Sequence, residues 1–469
     1  MKRQERAWVL FEHHREKVIA ALKEGRCDGI LPAAKTMLDD FAGFLHHSDL
    51  LPLFDRFPDR RQRRSIAPFF FCHTMLYRPL FRLPRLAQIG DTLFRSPFIL
   101  RLLGFNARQV QRGFYAGSGE KPFDPEALGE FFARATDEDF FAHQVEWLKG
   151  IHRAWPKVFR TGVWVMDGLR FTVARGGHGV PAGDYKVCVL GVWQGGEVWP
   201  LLWRFGDGTD HDLPLGKEVL ASAQEVLGEG TIRHLLVDAG FLDGEWLSEL
   251  AASMTVTIRI RKDMDLFSDL IGLARMEPEA WEEVALPQRP KGKEKPCRRE
   301  IIGFSELESW SSCSVPLSGC LIRDTYAETV DHWAIVQTGK AAEARTIYRA
   351  YRKRWDLEET FMACTRYWQM EELPPARRGV TLAKVHFALL AFTLLAIYLA
   401  ISNSDKRPWS PPPLLLPERE FAVYAGPYYA LLRASELMAI LFDHFDAWRE
   451  NKENILAALQ VTEGTRLDR

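Results

Sequence analysis

Residues 347–368 read IYRAYRKRWDLEETFMACTRYW, and the reading of this stretch decides how the rest of the chain is understood. Wound at 3.6 residues per turn, Tyr351, Arg354 and Glu358 fall at i, i+3 and i+7 and share one helical face. A phenol, a guanidinium and a carboxylate do not make a core stripe, which would be aliphatic. Arg345, Arg349, Arg352, Lys353 and Arg354 crowd the same segment, so Glu358 is set in a strongly positive surface. That suits a polyanion with a divalent metal between the two. A solvated helix with intrahelical Arg–Glu pairs would carry the same letters.

Just downstream, Thr381–Ile401 supplies an apolar helix to buttress this one. Its run Phe387–Ile401 is broken only by Thr393 and is shorter than the ~20 residues of a membrane span. Lys384 and His386 precede it, so a buried helix is expected and no membrane partner. Arg407–Pro417 reads as a proline-rich linker, and residues 418–461 as one or two amphipathic helices. Upstream, residues 266–325 carry Trp281 and Trp310 and a basic run of Arg289, Lys291, Lys293, Lys295, Arg298 and Arg299. No helical period survives there, so an irregular or β-structured insertion is expected; the basic run reads equally as a solvated loop.

Before the insertion the texture is α/β. Val163-Trp164-Val165-Met166 ends in Asp167-Gly168, Arg170–Ala174 resumes an alternating run, and 175–179 reads as a hairpin turn. Lys186–Trp193 and Val198–Arg204 are further strands, and Leu215–Leu227 is an amphipathic helix. His234-Leu235-Leu236-Val237 suits a buried strand closed by Asp238, followed by a helix at Asp243–Ala252 and a strand at Val256–Ile260. Two strands thus end in aspartate, where α/β sheets place ligands and metals, although a lone aspartate there is more often a turn or cap residue.

Residues 1–155 read as mainly helical, with Leu22–Leu51 and Phe69–Leu103 periodic and Pro58, Pro79, Pro84 and Pro97 as punctuation. Arg60, Arg61, Arg63 and Arg64 put four arginines in five positions: a phosphate-gripping patch, or a solvated helix start.

A chain of 469 residues is too long for one core, and two to four domains are expected. The net charge of −1 does not advertise a nucleic-acid binder, but binding surfaces are local. Seven cysteines without a CxxC pair argue against structural zinc and for a reducing compartment. The N-terminus has no apolar h-region, so no signal peptide is expected. There is no Gly-x-Ser-x-Gly and no GxxxxGK[ST], which leaves nucleophilic-serine and NTPase chemistry without a foothold. Asp207-Gly208-Thr209-Asp210-His211-Asp212 looks like a calcium loop but lacks its mid-loop Gly and terminal Glu, and reads as a polar turn between strand and helix. Two aspartates and a glutamate on separate elements, by contrast, are the minimum for holding two hard divalent cations.

Together these residues resemble the DDE transposases of bacterial insertion sequences, whose C-terminal signature is Tyr-x2-Arg-x3-Glu-x6-Lys. Tyr351, Arg354 and Glu358 match it at the right spacing, Asp167 in Val-Met-Asp-Gly resembles the first aspartate, and Asp238 in Val-Asp-Ala-Gly-Phe the second. The likeness runs from roughly 160 to 402. It implies an α/β fold with an RNase H-like mixed sheet flanked by helices: a helical DNA-end-binding domain at 1–155, the core at 156–265 and 326–402, an inserted β-rich subdomain at 266–325, and a linker with a C-terminal helical tail at 403–469. It also implies that Asp167, Asp238 and Glu358 bind two Mg²⁺ ions, with Mn²⁺ substituting. The expected reaction is cut-and-paste transposition, with double-stranded DNA (terminal inverted repeats and target) as partner and a homodimer in the complex, in the cytoplasm on the nucleoid. Tyr351, Arg352, Lys353, Arg354 and Arg366, with Arg60, Arg61, Arg63 and Arg64, would contact DNA, and Trp355, or a tryptophan of the insertion, would stack on a flipped base. The signature Lys falls on Thr365, with Arg366 beside it. The alternative is a weakened or domesticated derivative that binds DNA without cutting it.

Overall fold

A computed structural model describes residues 8–33, 37–62, 64–114, 121–173, 183–286, 296–339, 343–368, 370, 373, 376–402 and 420–450. Arg63, the expected turn at 175–179, the basic residues 289–295, the proline-rich segment 407–417 and residues 451–461 lie outside them. The chain divides into two compact units. One comprises Gln144–Ala174 and Pro181–Ala363; the other comprises Met1–His143, Arg175–Val180 and Cys364–Arg469.

The first unit is built on one nine-stranded mixed sheet. Its strands are β3 (Val163–Val173), β4 (Gly183–Gln194), β5 (Glu197–Asp207), β6 (His234–Val237), β7 (Thr255–Ile260), β8 (Glu282–Glu283), β9 (Arg298–Leu307), β10 (Leu317–Thr325) and β11 (Val330–Thr338), in the order β5-β4-β3-β6-β7-β11-β10-β9-β8. The strands β3, β4 and β5 form an antiparallel meander. The Asp212–Leu227 helix then crosses over, and β6 and β7 add in parallel to β3. A parallel connection needs such a crossover, and its strands are covered on both faces. Accordingly Leu235, Leu236 and Val237 are fully buried, and Val219, Leu220 and Ala223 form the helix's inner stripe.

The insertion is not a sheet of its own. Antiparallel pairing carries β9 and β10 through β11 onto β7, so 266–325 extends the core sheet after a helix at Asp265–Met276. Composition signalled strands but not their neighbours, because pairing is set by partners remote in sequence. β3 is likewise continuous through Asp167-Gly168 rather than two runs.

The second unit packs a phenylalanine-rich helix, Pro68–Leu80, buried along its whole length, against the buried Arg378–Ile401 helix. The latter is long and apolar enough to cross a membrane, yet its most apolar window lies wholly inside the protein. A four-stranded sheet completes the unit: β1 (Glu12–His13) and β2 (Gly29–Ala33) from one end of the chain, β12 (Glu420–Ala425) and β13 (Tyr428–Arg433) from the other, in the order β1-β13-β12-β2. This corrects one expectation: the region from 418 begins with a hairpin before the Ala434–Asp443 helix, whereas 1–155 is mainly helical as expected, with β1 and β2 as its strands. The signal was present in FAVYAGPYYALLR, where aromatic-rich runs flank Gly426-Pro427 and Gly426 takes φ +58°. The two ends of the chain form one unit because their strands complete one ladder.

Candidate active site

The parallel pair β3–β6 fixes the two aspartates. Met166 pairs with Val237, and Asp167 and Asp238 are the next residues on each strand. Strands in a sheet lie about 4.8 Å apart, so the two residues emerge side by side where β6 ends. Asp167 stays in β3, opposite Val189 of β4, and is 8% exposed. Asp238 caps the short turn Ala239–Phe241, its Oδ1 accepting from Gly240 N–H at 2.8 Å.

The segment carrying Glu358 is two helices rather than one. Ala344–Arg352 ends at a turn on Lys353, and Arg354–Tyr367 starts anew. Tyr351 therefore belongs to a different helix from Arg354 and Glu358. It is buried against the core of β9–β11, beside Trp333. Arg354 is the link between the acids. One nitrogen donates to Asp167 Oδ2 and the other to Glu358 Oε1 at 2.6 Å, the ordinary i,i+4 reach along a helix. The Arg354 side chain is 9% exposed and that of Glu358 47%, so the acidic group runs from a dry interior to solvent.

The electrostatics follow from this arrangement. Burial lifts the Asp167 carboxyl to about 7; Arg354 and the Gly168 N–H oppose the rise, and the charges of Asp238 and Glu358 reinforce it. Arg354 is held charged above its usual range: its own burial works against this, and Tyr351, Asp167, Glu358 and Asp238 outweigh it. All three acids therefore act on one guanidinium.

Among the described residues, no three of His, Cys, Asp and Glu already stand close enough together to hold a metal. The donor chemistry nevertheless fits a hard divalent cation. The ligands are carboxylate oxygens on separate elements, two of them already bridged by a cation, the Arg354 guanidinium.

The other expected site residues are divided between roles. Lys353 lies over the Trp193 ring at 4.3 Å, and Trp193 donates to Asp356 at 2.6 Å. Arg352 is half-exposed, and Trp355 packs in part on the core of β9–β11. Thr365 and the exposed Arg366 fall in the last turn of their helix. In the other unit, Arg61 holds Asp59 and the Ile66 carbonyl and stacks on Phe71 and Phe131, so it is built into the structure. Arg60 pairs with Asp139 at 2.8 Å while half of its side chain remains exposed, and Arg64 is exposed. The polar turn read from sequence at 207–212 does join β5 to the Asp212–Leu227 helix, and Asp212, the first residue of that helix, lies against Gly168 and Gly240, beside both aspartates. The glycines after Asp167 and Asp238 were the sequence signal for it.

Residues 196–394 match the transposase DDE domain family. That stretch, somewhat under half of the chain, is similar to a transposase DDE domain. The matched stretch includes Asp238, Tyr351, Arg354 and Glu358, while Asp167 precedes it on β3, brought in by strand pairing. A solved piggyBac transposase synaptic complex with hairpin DNA is similar at a TM-score of 0.39 and 11% identity, over 81% of this chain and 80% of that chain. No curated protein matches.

Proposed function

We propose that this chain is a DNA transposase that cuts the ends of an insertion sequence at its terminal inverted repeats and joins them to target DNA. The observation that carries the reading is that Arg354 joins Asp167 to Glu358, while strand pairing sets Asp238 next to Asp167 where β6 ends beside β3. Those three carboxylates would hold two Mg²⁺ ions, with Mn²⁺ substituting. When bound, such a pair activates an attacking water or 3′-hydroxyl and stabilises the leaving oxygen.

The chain's own residues do the rest. Asp167 must lose its proton before it can serve as a ligand. Arg354, displaced from the carboxylates, presents a planar fork that matches a phosphate. Tyr351 stays buried beneath it, the guanidinium 5.4 Å from its ring centre, and sets its direction. Exposed Arg349 and half-exposed Arg352 lie on the preceding helix, where a phosphate backbone would pass. The partner is double-stranded DNA. A homodimer brings two ends together, acting in the cytoplasm on the nucleoid.

A strand-transfer assay with the element's terminal repeats and Mg²⁺ tests the reading. Wild type should join ends and Asp238→Ala should not; equal activity would refute it. The second reading, a derivative that binds DNA without cutting, draws on Thr365 in place of the signature lysine and on Arg354 standing between two of the acids. Metal-independent binding with no cleavage under the same conditions would favour it.

A further inference from the structure

Gly168 follows Asp167, and Gly240 lies two residues beyond Asp238. One side chain fills the space both glycines leave. A Cβ on Gly168 would collide with Asp212 Oδ1, and one on Gly240 would lie 3.2 Å from Asp212 Oδ2 and 3.0 Å from Asp238 Oδ1. Residues directly opposite across two strands share a face, and neighbours along a strand point to opposite faces. Gly168 pairs with Cys188 and Asp167 with Val189. Asp212 therefore approaches β3 from the Cys188 face, whereas the Asp167 carboxylate leaves from the other. It stands behind the acidic pair, not among its ligands.

Asp212 is held there from two sides. Lys186 lies on the same face of β4 as Cys188, its Nζ 3.2 Å from Asp212 Oδ1 and donating to the Asp210 carbonyl at 2.7 Å. Asp212 also opens a sixteen-residue helix, where the dipole favours a negative charge. Its Oδ1 is buried, with the Lys186 ammonium as its partner. An ion pair serving only to pin the helix start would have no need to reach between two glycines that each adjoin a candidate ligand.

We infer that Asp212, braced by Lys186, is a positioning residue that sets the distance between β3 at Asp167 and the turn at Asp238, and thereby the geometry of the cation site. The inference rests on the proposed cation-binding role of Asp167 and Asp238. Its test is Mn²⁺ binding to the full chain without DNA, followed by calorimetry at pH 8. Asp212→Ala and Gly240→Ala should each weaken Mn²⁺ by ~10-fold or more, the usual effect of removing an outer support of a metal site, and Lys186→Met should act in the same direction. Asp238→Asn, the control, should lose binding. Unchanged affinity in Asp212→Ala and Gly240→Ala, with loss in Asp238→Asn, overturns the inference and leaves the cation site standing. Unchanged affinity in Asp238→Asn overturns both. Should Asp212→Ala fail to fold, Asp212→Asn and Gly240→Ala decide by the same criterion, since each keeps the Asp212–Leu227 helix intact.

Discussion

Both units bury ionisable groups, but with opposite chemistry. In the unit with the nine-stranded sheet, a carboxylate of β3 and one of a helix meet a guanidinium and the group opens to solvent at Glu358. In the other unit, bases are buried among aromatic rings. His143 and His386, both buried, face each other with Nδ1 and Nε2 3.0 Å apart, and Phe57, Phe140 and Phe387 pack against them. One ring donates and the other accepts, which requires at least one of them to be neutral. Burial drives His143 down to about 3, and burial followed by the neighbouring His143 drives His386 well below its usual range. Lys384 is pushed down to about 7 by burial and then by Arg78, which donates to the Leu83 and Lys384 carbonyls. Burial alone therefore does not mark a functional group. The proposed site differs in pairing complementary charges beside an open side, whereas the histidines of the other unit are kept neutral in a closed aromatic core.

The largest expected effect lies on the acidic side. Asp167→Ala or Glu358→Ala should lower Mg²⁺-dependent cleavage of labelled terminal repeats on the order of 10³-fold, as losing a metal worth several kcal/mol in the transition state requires. Affinity for the same DNA in gel-shift titrations should change little; a matching loss of affinity would make these residues structural. Next comes the closed core. Arg78→Met removes two buried hydrogen bonds and should cost about 3 kcal/mol in urea unfolding. A neutral result would break the contrast from the other side.

Smaller, and opposite in sign between the units, are the effects of pH. The histidines are protonated more readily in the unfolded chain, so their contribution is present above pH 6.5 and is lost as pH falls towards 3, by at most about 1.4 kcal/mol per pH unit for each. Asp167 has a raised folded-state pKa, so its contribution is present below the normal carboxylate range and is lost as pH rises through 7. A cation needs the deprotonated form. Mn²⁺ affinity should therefore be about tenfold weaker at pH 6 than at pH 8, and calorimetry at the two values would show it. The smallest effect concerns the arginine cluster. Arg60→Ala with Arg64→Ala should reduce the salt slope of DNA binding by up to about 2. Arg61→Ala should instead lower stability, since that side chain is committed to Asp59 and Ile66.

The sequence by itself determined the chemistry on offer. The strand character around Asp167, the apolar run ending in Asp238 and the Tyr351–Arg354–Glu358 spacing were legible because period and turn chemistry are local, although β3 runs on past Asp167. So was the buried character of the Arg378–Ile401 helix, whose composition requires an interior. Only the tertiary structure decided which elements are neighbours. It joined the insertion's strands to β7, paired strands from the two ends of the chain, split the Glu358 segment at Lys353, and set Asp212 behind both aspartates. Each of these is a contact between residues far apart in sequence, and local propensity carries no record of a partner that only the closed sheet brings near.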